Sequence, residues 1–229
     1  MQMNNMEHKR LTLFAGHYGS GKTNIAVNYA IAMAQEGKQV CIADLDIVNP
    51  YFRTKDSAQR LAEAGVTLIS PQFANTNVDL PALPAEAYRL VQDKNIYGVM
   101  DIGGDDRGAY ALGRYIPAIK EENNYRMIFV ANSCRPLTLT PEDAMEVMRE
   151  IEAACNLQFT DIINNSNLGP ETTPETVLDS LDYIQKLSQL SGLPVFAHTA
   201  EDTVARQLTC LDNVFPLHLQ EKYFDLPTI

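Results

Sequence analysis

Residues 11–23, LTLFAGHYGSGKT, constrain the fold of this chain more than any other stretch. The apolar or β-favouring residues here predict a strand over about 10–15. A glycine-rich turn follows, and Lys22 opens an apolar helical segment that reaches about Glu36, with Gly37 as a left-handed C-cap. Between strand and helix, Gly16, His17, Tyr18, Gly19, Ser20, Gly21, Lys22 and Thr23 fit G-x-x-x-x-G-K-[ST], the phosphate-binding loop. The glycines let successive backbone N–H groups turn toward one point, where the helix N-terminus adds its partial positive charge. In that frame Lys22 reaches the outer phosphates as a point charge, and the Thr23 hydroxyl ligates Mg²⁺. The dinucleotide fingerprint G-x-G-x-x-G does not fit, because the glycines at 16, 19 and 21 run in the wrong order.

Two further strand ends supply acids. Gln39 to Ala43 predicts a short buried parallel strand that delivers Asp44, Leu45 and Asp46 at its carboxyl end. Ligands of open α/β sheets gather at such ends, so Asp44 and Asp46 are candidates to act on Mg²⁺ or on an attacking water. Ile96 to Met100 predicts another strand, closed by Asp101-Ile102-Gly103-Gly104. An apolar strand ending in Asp is the Walker B pattern, whose carboxylate holds Mg²⁺, and Asp-x-x-Gly lets the Gly104 N–H sense a γ-phosphate. Asp105, Asp106 and Arg107 read as solvated turn residues. Tyr51 to Thr54 form a loop after the first acids, which either moves with nucleotide state or packs down.

The rest of the chain continues the alternation. Helices are expected over about 56–64, up to about Asp93, over 109–119, from the Thr140 cap to about Ala154, and from Thr172-Thr173-Pro174-Glu175 to near Gly192. Strands are expected at Val66–Ile69, Arg126–Ala131, Thr160–Ile163 and, last, Leu193–Ala197, with an irregular segment from Ser70 to Pro84. Such alternation predicts an α/β three-layer fold of the P-loop NTPase type, a mostly parallel sheet with helices on both faces. Residues 1–8 are expected to be a disordered leader and 9–229 one nucleotide-binding domain. The strand near 160 ends in Asn164-Asn165-Ser166-Asn167, where a base would lie. Guanine would call for Asn-Lys-x-Asp, which does not occur, whereas an Asn amide pairs with adenine through one donor and one acceptor. Asn164 is the first candidate for that role and Asn165 the second.

Charge and cysteines narrow the partners. A net charge of −11, with Lys9-Arg10 as the only adjacent basic pair, argues against binding nucleic acid or an anionic membrane surface. No apolar run is long enough to span a bilayer, and the N-terminus lacks the apolar core of a signal peptide, so a cytoplasmic location is expected. Cys41, Cys134, Cys155 and Cys210 are widely spaced, without a C-x-x-C pair. Cys41 and Cys155 fall in core-like runs, and Cys134 in a loop near the nucleotide. His8, His198 and His218 show no metal-ligand spacing and are read as structural or surface residues.

Taken together, the loop at 16–23, Asp44-Leu45-Asp46, Asp101-Ile102-Gly103-Gly104 and Asn164 make residues 9–200 resemble the MinD/ParA group of P-loop ATPases. That group includes the nitrogenase iron protein and the cobyrinate-type amidotransferase nucleotide domains. The resemblance implies ATP and Mg²⁺ as cofactors, with Lys22 on the phosphates, Thr23 and Asp101 serving Mg²⁺ and Asp44 supporting its shell. It also implies that Asp46 positions the attacking water, Gly104 senses the γ-phosphate and Asn164 holds adenine. Much of the family carries a signature lysine that crosses a nucleotide-sandwich dimer, where this chain has His17. A mostly neutral histidine is a poorer match for phosphate. Protonation of His17, a cation supplied by Arg53 or Arg135, or slow turnover would each answer that departure. An iron–sulfur cluster is not expected, since only Cys134 lies near a ligand position, and the acidic C-terminal stretch does not match a MinD-type membrane helix. Three activities fit: an ATPase switch for an unidentified protein partner, with a possible nucleotide-dependent homodimer; ATP-dependent activation of a small carboxylate; or a nucleotide-binding module without turnover.

Overall fold

The computed structural model describes residues 8–45, 57–69, 85–103 and 112–219. They contain eight strands in one sheet: β1 (Leu11–Ala15), β2 (Val40–Leu45), β3 (Thr67–Ile69), β4 (Tyr97–Ile102), β5 (Tyr125–Ala131), β6 (Asp161–Asn164), β7 (Val195–Glu201) and β8 (Val214–Leu217). Their order is β3-β2-β4-β1-β5-β6-β7-β8, and every pairing is parallel. The helices are α1 (Lys22–Gln35), α2 (Ala58–Glu63), α3 (Arg89–Gln92), α4 (Ile116–Glu122), α5 (Pro141–Cys155), α6 (Pro174–Asp179), α7 (Leu181–Ser191) and α8 (Asp202–Ala205).

Strand alternation divides the core into two faces. Leu11, Leu13, Met100, Met127 and Phe129 pack with Leu90 of α3, Ile119 of α4, Met148 of α5 and Leu187 of α7. Phe14, Ile42, Val99, Ile128 and Val130 point the other way, against Ile25, Tyr29 and Met33 of α1 and Leu61 of α2. A near-continuous run of apolar side chains on central strands is what a sheet covered on both faces requires. Each fully buried Leu, Ile or Phe in these layers stabilises the fold by about 1.5–3 kcal/mol. Helix α1 is buried along most of its length, as its composition predicts.

Several expected boundaries move. β2 and β4 each run two residues further, so Asp44 and Asp101 lie within the strands instead of just beyond them. The helix expected over 109–119 is seen at Ile116–Glu122, and residues 104–111 lie outside the described residues. The single helix expected up to Gly192 is two, because Ser180 interrupts it: the Ser180 Oγ–H donates to the Val177 carbonyl at 2.7 Å, competing for the backbone. β7 reaches Glu201, and β8 follows it, so Leu193–Ala197 is not the last strand. Pro216 masks β8 in the sequence, yet an edge strand tolerates a residue without an N–H. Of the expected leader, residues 1–7 lie outside the described residues, while His8 contacts the Tyr29 hydroxyl at 3.2 Å and Glu36 at 2.9 Å. The irregular segment Ser70–Pro84 and the loop Tyr51–Thr54 also lie outside the described residues, as do Asp105, Asp106 and Arg107.

Candidate functional site

β1 stands between β4 and β5 at the point where the strand order reverses, and the loop after it opens at the carboxyl edge of the sheet. Two glycines are demanded by close approach. A Cβ on Gly16 would sit 2.6 Å from the Val130 carbonyl oxygen of β5. Gly21 has φ +93°, and a Cβ there would collide with the Asn165 amide nitrogen. Inside the loop the His17 carbonyl accepts from the Ser20 N–H at 3.1 Å and from Lys22 Nζ at 3.2 Å. His17 Nδ1–H donates to the Tyr18 carbonyl at 2.9 Å. Lys22, Thr23 and Ser20 are buried, Gly19 and Tyr18 exposed, and Ser20 Oγ has no hydrogen-bond partner among the described residues.

The start of α1 is set by a left-handed glycine, which no other helix among the described residues has at its N-cap; like α2, α3, α4 and α7 it carries no side-chain cap. Thr140 closes the N-terminus of α5 in a capping box with Asp143, and Thr173 does the same for α6 with Thr176. α1 begins from left-handed Gly21 with no side-chain cap. Its positive end is therefore directed at the mouth of the loop, the arrangement that binds an anion.

Asp44 and Asp101 are register partners on adjacent parallel strands. Ile42 and Val99, two residues earlier, pack beneath α1, so alternation turns both acids to that same side, near the carboxyl ends of their strands. Both are buried, at 3% and 0% exposure. Carboxylate and hydroxyl oxygens are hard donors of the type Mg²⁺ takes together with phosphates. No group of three or more His, Cys, Asp or Glu residues positioned to hold a metal occurs among the described residues. Asp46 and Gly104 lie outside the described residues.

The ends of β5, β6 and β7 form a buried polar lattice. Asn164 Nδ2 donates to Ser180 Oγ at 2.8 Å and to His198 Nδ1 at 3.2 Å, and its Oδ1 accepts from the Ser166 N–H and Oγ–H. Both donors and both acceptor positions are thus occupied, with no exposed surface. Asn165 Nδ2 donates to the Ser20 carbonyl at 2.6 Å, and its Oδ1 accepts from Thr199 Oγ–H at 2.6 Å. These bonds leave Asn165 one amide donor and one acceptor position. Burial holds the His198 imidazole below its ordinary pKa, consistent with a neutral ring accepting at Nδ1. Asn132 Oδ1 ties Cys134 N–H at 3.0 Å to Asn167 N–H at 3.4 Å, and Arg135 Nε donates to the Gly19 carbonyl at 2.9 Å. Thr199, Ser180 and Asn132 carry no local sequence signal, because their roles arise from strands that meet only in the fold.

The other side chains singled out in the sequence have structural places. Cys41 and Cys155 are buried, and burial pushes the Cys41 thiol up to about 11. Tyr18, Leu137, Leu139 and Leu168 expose large apolar side chains on the loops that follow β1, β5 and β6. No helix among the described residues is long and apolar enough to cross a membrane.

A family model described as the CobQ/CobB/MinD/ParA nucleotide binding domain matches residues 11–170. No curated protein matches the chain. Among solved structures, FtsY from Thermotoga maritima is similar at 15% identity with a TM-score of 0.58, over 86% of this chain and 63% of that one. FtsY from Mycoplasma mycoides is similar at 17% identity and a TM-score of 0.54, over 85% and 62%. The signal recognition particle 54 kDa protein from Aeropyrum pernix K1, in complex with GDP, is similar at 16% identity and 0.52, over 84% and 41%. The chain thus spans less than two thirds of the length of these proteins, and the likeness is one of fold: the three-layer P-loop NTPase arrangement.

Proposed function

The chain belongs to the CobQ/CobB/MinD/ParA nucleotide-binding domain family, and on that premise we propose that it is a cytoplasmic protein that binds Mg-ATP, hydrolyses it slowly and acts as a nucleotide-dependent switch for a protein partner. The observation that carries this reading is the start of α1 from left-handed Gly21, set behind a glycine loop at the end of β1, with Asp44 and Asp101 paired on adjacent strands. In it, Lys22 meets the outer phosphates, and Thr23, Asp44 and Asp101 hold Mg²⁺, which neutralises phosphate charge when bound. Asp46 orients the attacking water and Gly104 senses the γ-phosphate. Asn165 reads adenine with the hydrogen-bonding capacity it retains; the β6 end offers no carboxylate to a guanine edge. The exposed Tyr18, Leu137, Leu139 and Leu168 supply apolar surface for a partner, or for a second copy in a nucleotide-dependent homodimer, on loops that a bound nucleotide would touch.

A second reading, binding without turnover, is favoured by His17, whose Nδ1 is engaged with the Tyr18 carbonyl where relatives carry a cation. ATP turnover with Mg²⁺, measured against protein concentration for the natural chain and for His17→Lys, separates the two. Turnover per subunit that rises with concentration, and rises further with lysine, supports the switch. Background turnover in both proteins while ATP still binds supports the second reading.

A further inference from the structure

Resting on the reading that this loop holds a nucleoside triphosphate, we propose that Arg135 contacts the outermost phosphate and sets the preference for triphosphate over diphosphate. Arg135 follows β5 and reaches the phosphate loop of its own chain, where Nε donates to the Gly19 carbonyl at 2.9 Å. That single bond fixes the stem of the side chain at the lip of the loop. Gly19 is exposed and lies two to four residues ahead of Gly21, Lys22 and Thr23, whose backbone N–H groups at the helix start would surround the inner phosphates. A guanidinium at Gly19 stands further out than that ring of donors.

The rest of the guanidinium is unspent. Arg10, Arg126 and Arg206 pair with Glu122, Asp161 and Asp202. Arg135 makes no ion pair among the described residues, and its Nη1 and Nη2 have no hydrogen-bond partner there. In a chain with a net charge of −11, a cation without a carboxylate beside an anion-binding loop has phosphate as its natural counter-ion.

The loop that carries Arg135 is held rigid. Thr138 Oγ–H donates to the Asn132 carbonyl at 2.7 Å and the Arg135 N–H to the same oxygen at 3.3 Å. The Thr138 N–H returns to the Arg135 carbonyl at 3.0 Å, through a 3₁₀ turn over Pro136–Thr138. The backbone under the guanidinium is therefore pre-organised, which lowers the ordering cost of a new contact. The arrangement supplies from β5 the fixed charge that position 17 lacks.

The test measures the affinities of ADP and of a non-hydrolysable ATP analogue, with Mg²⁺, for the natural chain, Arg135→Gln and Arg135→Lys. Circular dichroism and thermal melting confirm that each protein is folded. Loss of a charge-assisted phosphate contact is expected to weaken the triphosphate about tenfold or more in Arg135→Gln, with ADP changed by less than about threefold. Arg135→Lys should recover part of the difference. Equal weakening of both nucleotides would overturn the proposal, leaving Arg135 as a strut for Gly19. A natural chain that binds neither nucleotide would overturn this proposal and the reading beneath it together. A chain that binds both, with a ratio unmoved by Arg135→Gln, would overturn this proposal alone.

Discussion

Asn165 and Ser20, 145 residues apart in sequence, are joined by a 2.6 Å hydrogen bond from the Asn165 amide to the Ser20 carbonyl. The bond ties the end of β6 to the phosphate loop, and Thr199 of β7 holds the other side of the same amide at 2.6 Å. The shape of the loop is thus set by strands that would border the base as well as by its own glycines.

Removing that tie should loosen the loop. Asn165→Ala removes the amide that meets the Ser20 carbonyl and leaves the Thr199 hydroxyl only the Asn164 carbonyl at 3.2 Å, an expected loss of about 1–3 kcal/mol in stability. Gly21→Ala forces a Cβ into the Asn165 amide at φ +93° and should lower nucleotide affinity more than stability. Urea denaturation and nucleotide titration of the two variants check both outcomes.

The opposite edge of the sheet carries a separate clamp. Arg10, buried at the start of β1, donates through Nη1 to the Leu90, Asp93 and Ile96 carbonyls and pairs with Glu122, which Lys94 also meets at 2.6 Å. The Arg10 hydrogen bonds hold the Glu122 carboxyl below its ordinary pKa. A depressed carboxyl contributes stability that is present above the unfolded value of about 4.3 and is lost as pH falls through the folded value. Glu122→Gln should therefore flatten the acid limb of the stability profile. Arg10→Ala, which leaves Glu122 with Lys94 alone and removes the donor shared by the Leu90, Asp93 and Ile96 carbonyls, should cost about 1–3 kcal/mol. Denaturation from pH 3 to 7 tests the first, and nucleotide affinity should not change in Glu122→Gln, whose site is remote from the loop.

His198 makes a prediction of opposite chemistry. Its ring accepts from Asn164 as a neutral base, and burial lowers its pKa. The unfolded chain takes up this proton first, so stability should begin to fall below about pH 6.5 and level off once the folded ring is protonated. Nitrogen-resolved NMR should find the Nε2–H tautomer at pH 7, and His198→Gln should remove that part of the pH dependence.

The sequence was most legible where spacing alone determines chemistry. Strand, loop and helix around Gly16–Thr23 follow from glycine placement and apolar run, and the sheet from the alternation of elements. Asp44 and Asp101 were recognised as acids at strand ends, but their register across β2 and β4 depends on pairing that no local pattern encodes. Asn164 was legible as a polar residue at the carboxyl edge of β6, but the bonds that occupy its amide were not. A sequence shows which atoms a side chain brings, whereas Ser180, Ser166 and His198 decide which are already used. β8 was hidden by Pro216 and its length of four residues. Arg135 could be named as a cation near the loop; its bond to Gly19 became visible only with β5 beside β1.

The most direct test of the central claim is calorimetric titration of ATP with Mg²⁺ into the natural chain and into Lys22→Ala. The account predicts saturable, Mg²⁺-dependent binding to the natural chain, and a loss of about tenfold or more when the charge-assisted phosphate contact of Lys22 is removed. ATP affinity that is unchanged in a folded Lys22→Ala protein would contradict it, because the loop between β1 and α1 would then not be where the phosphates lie.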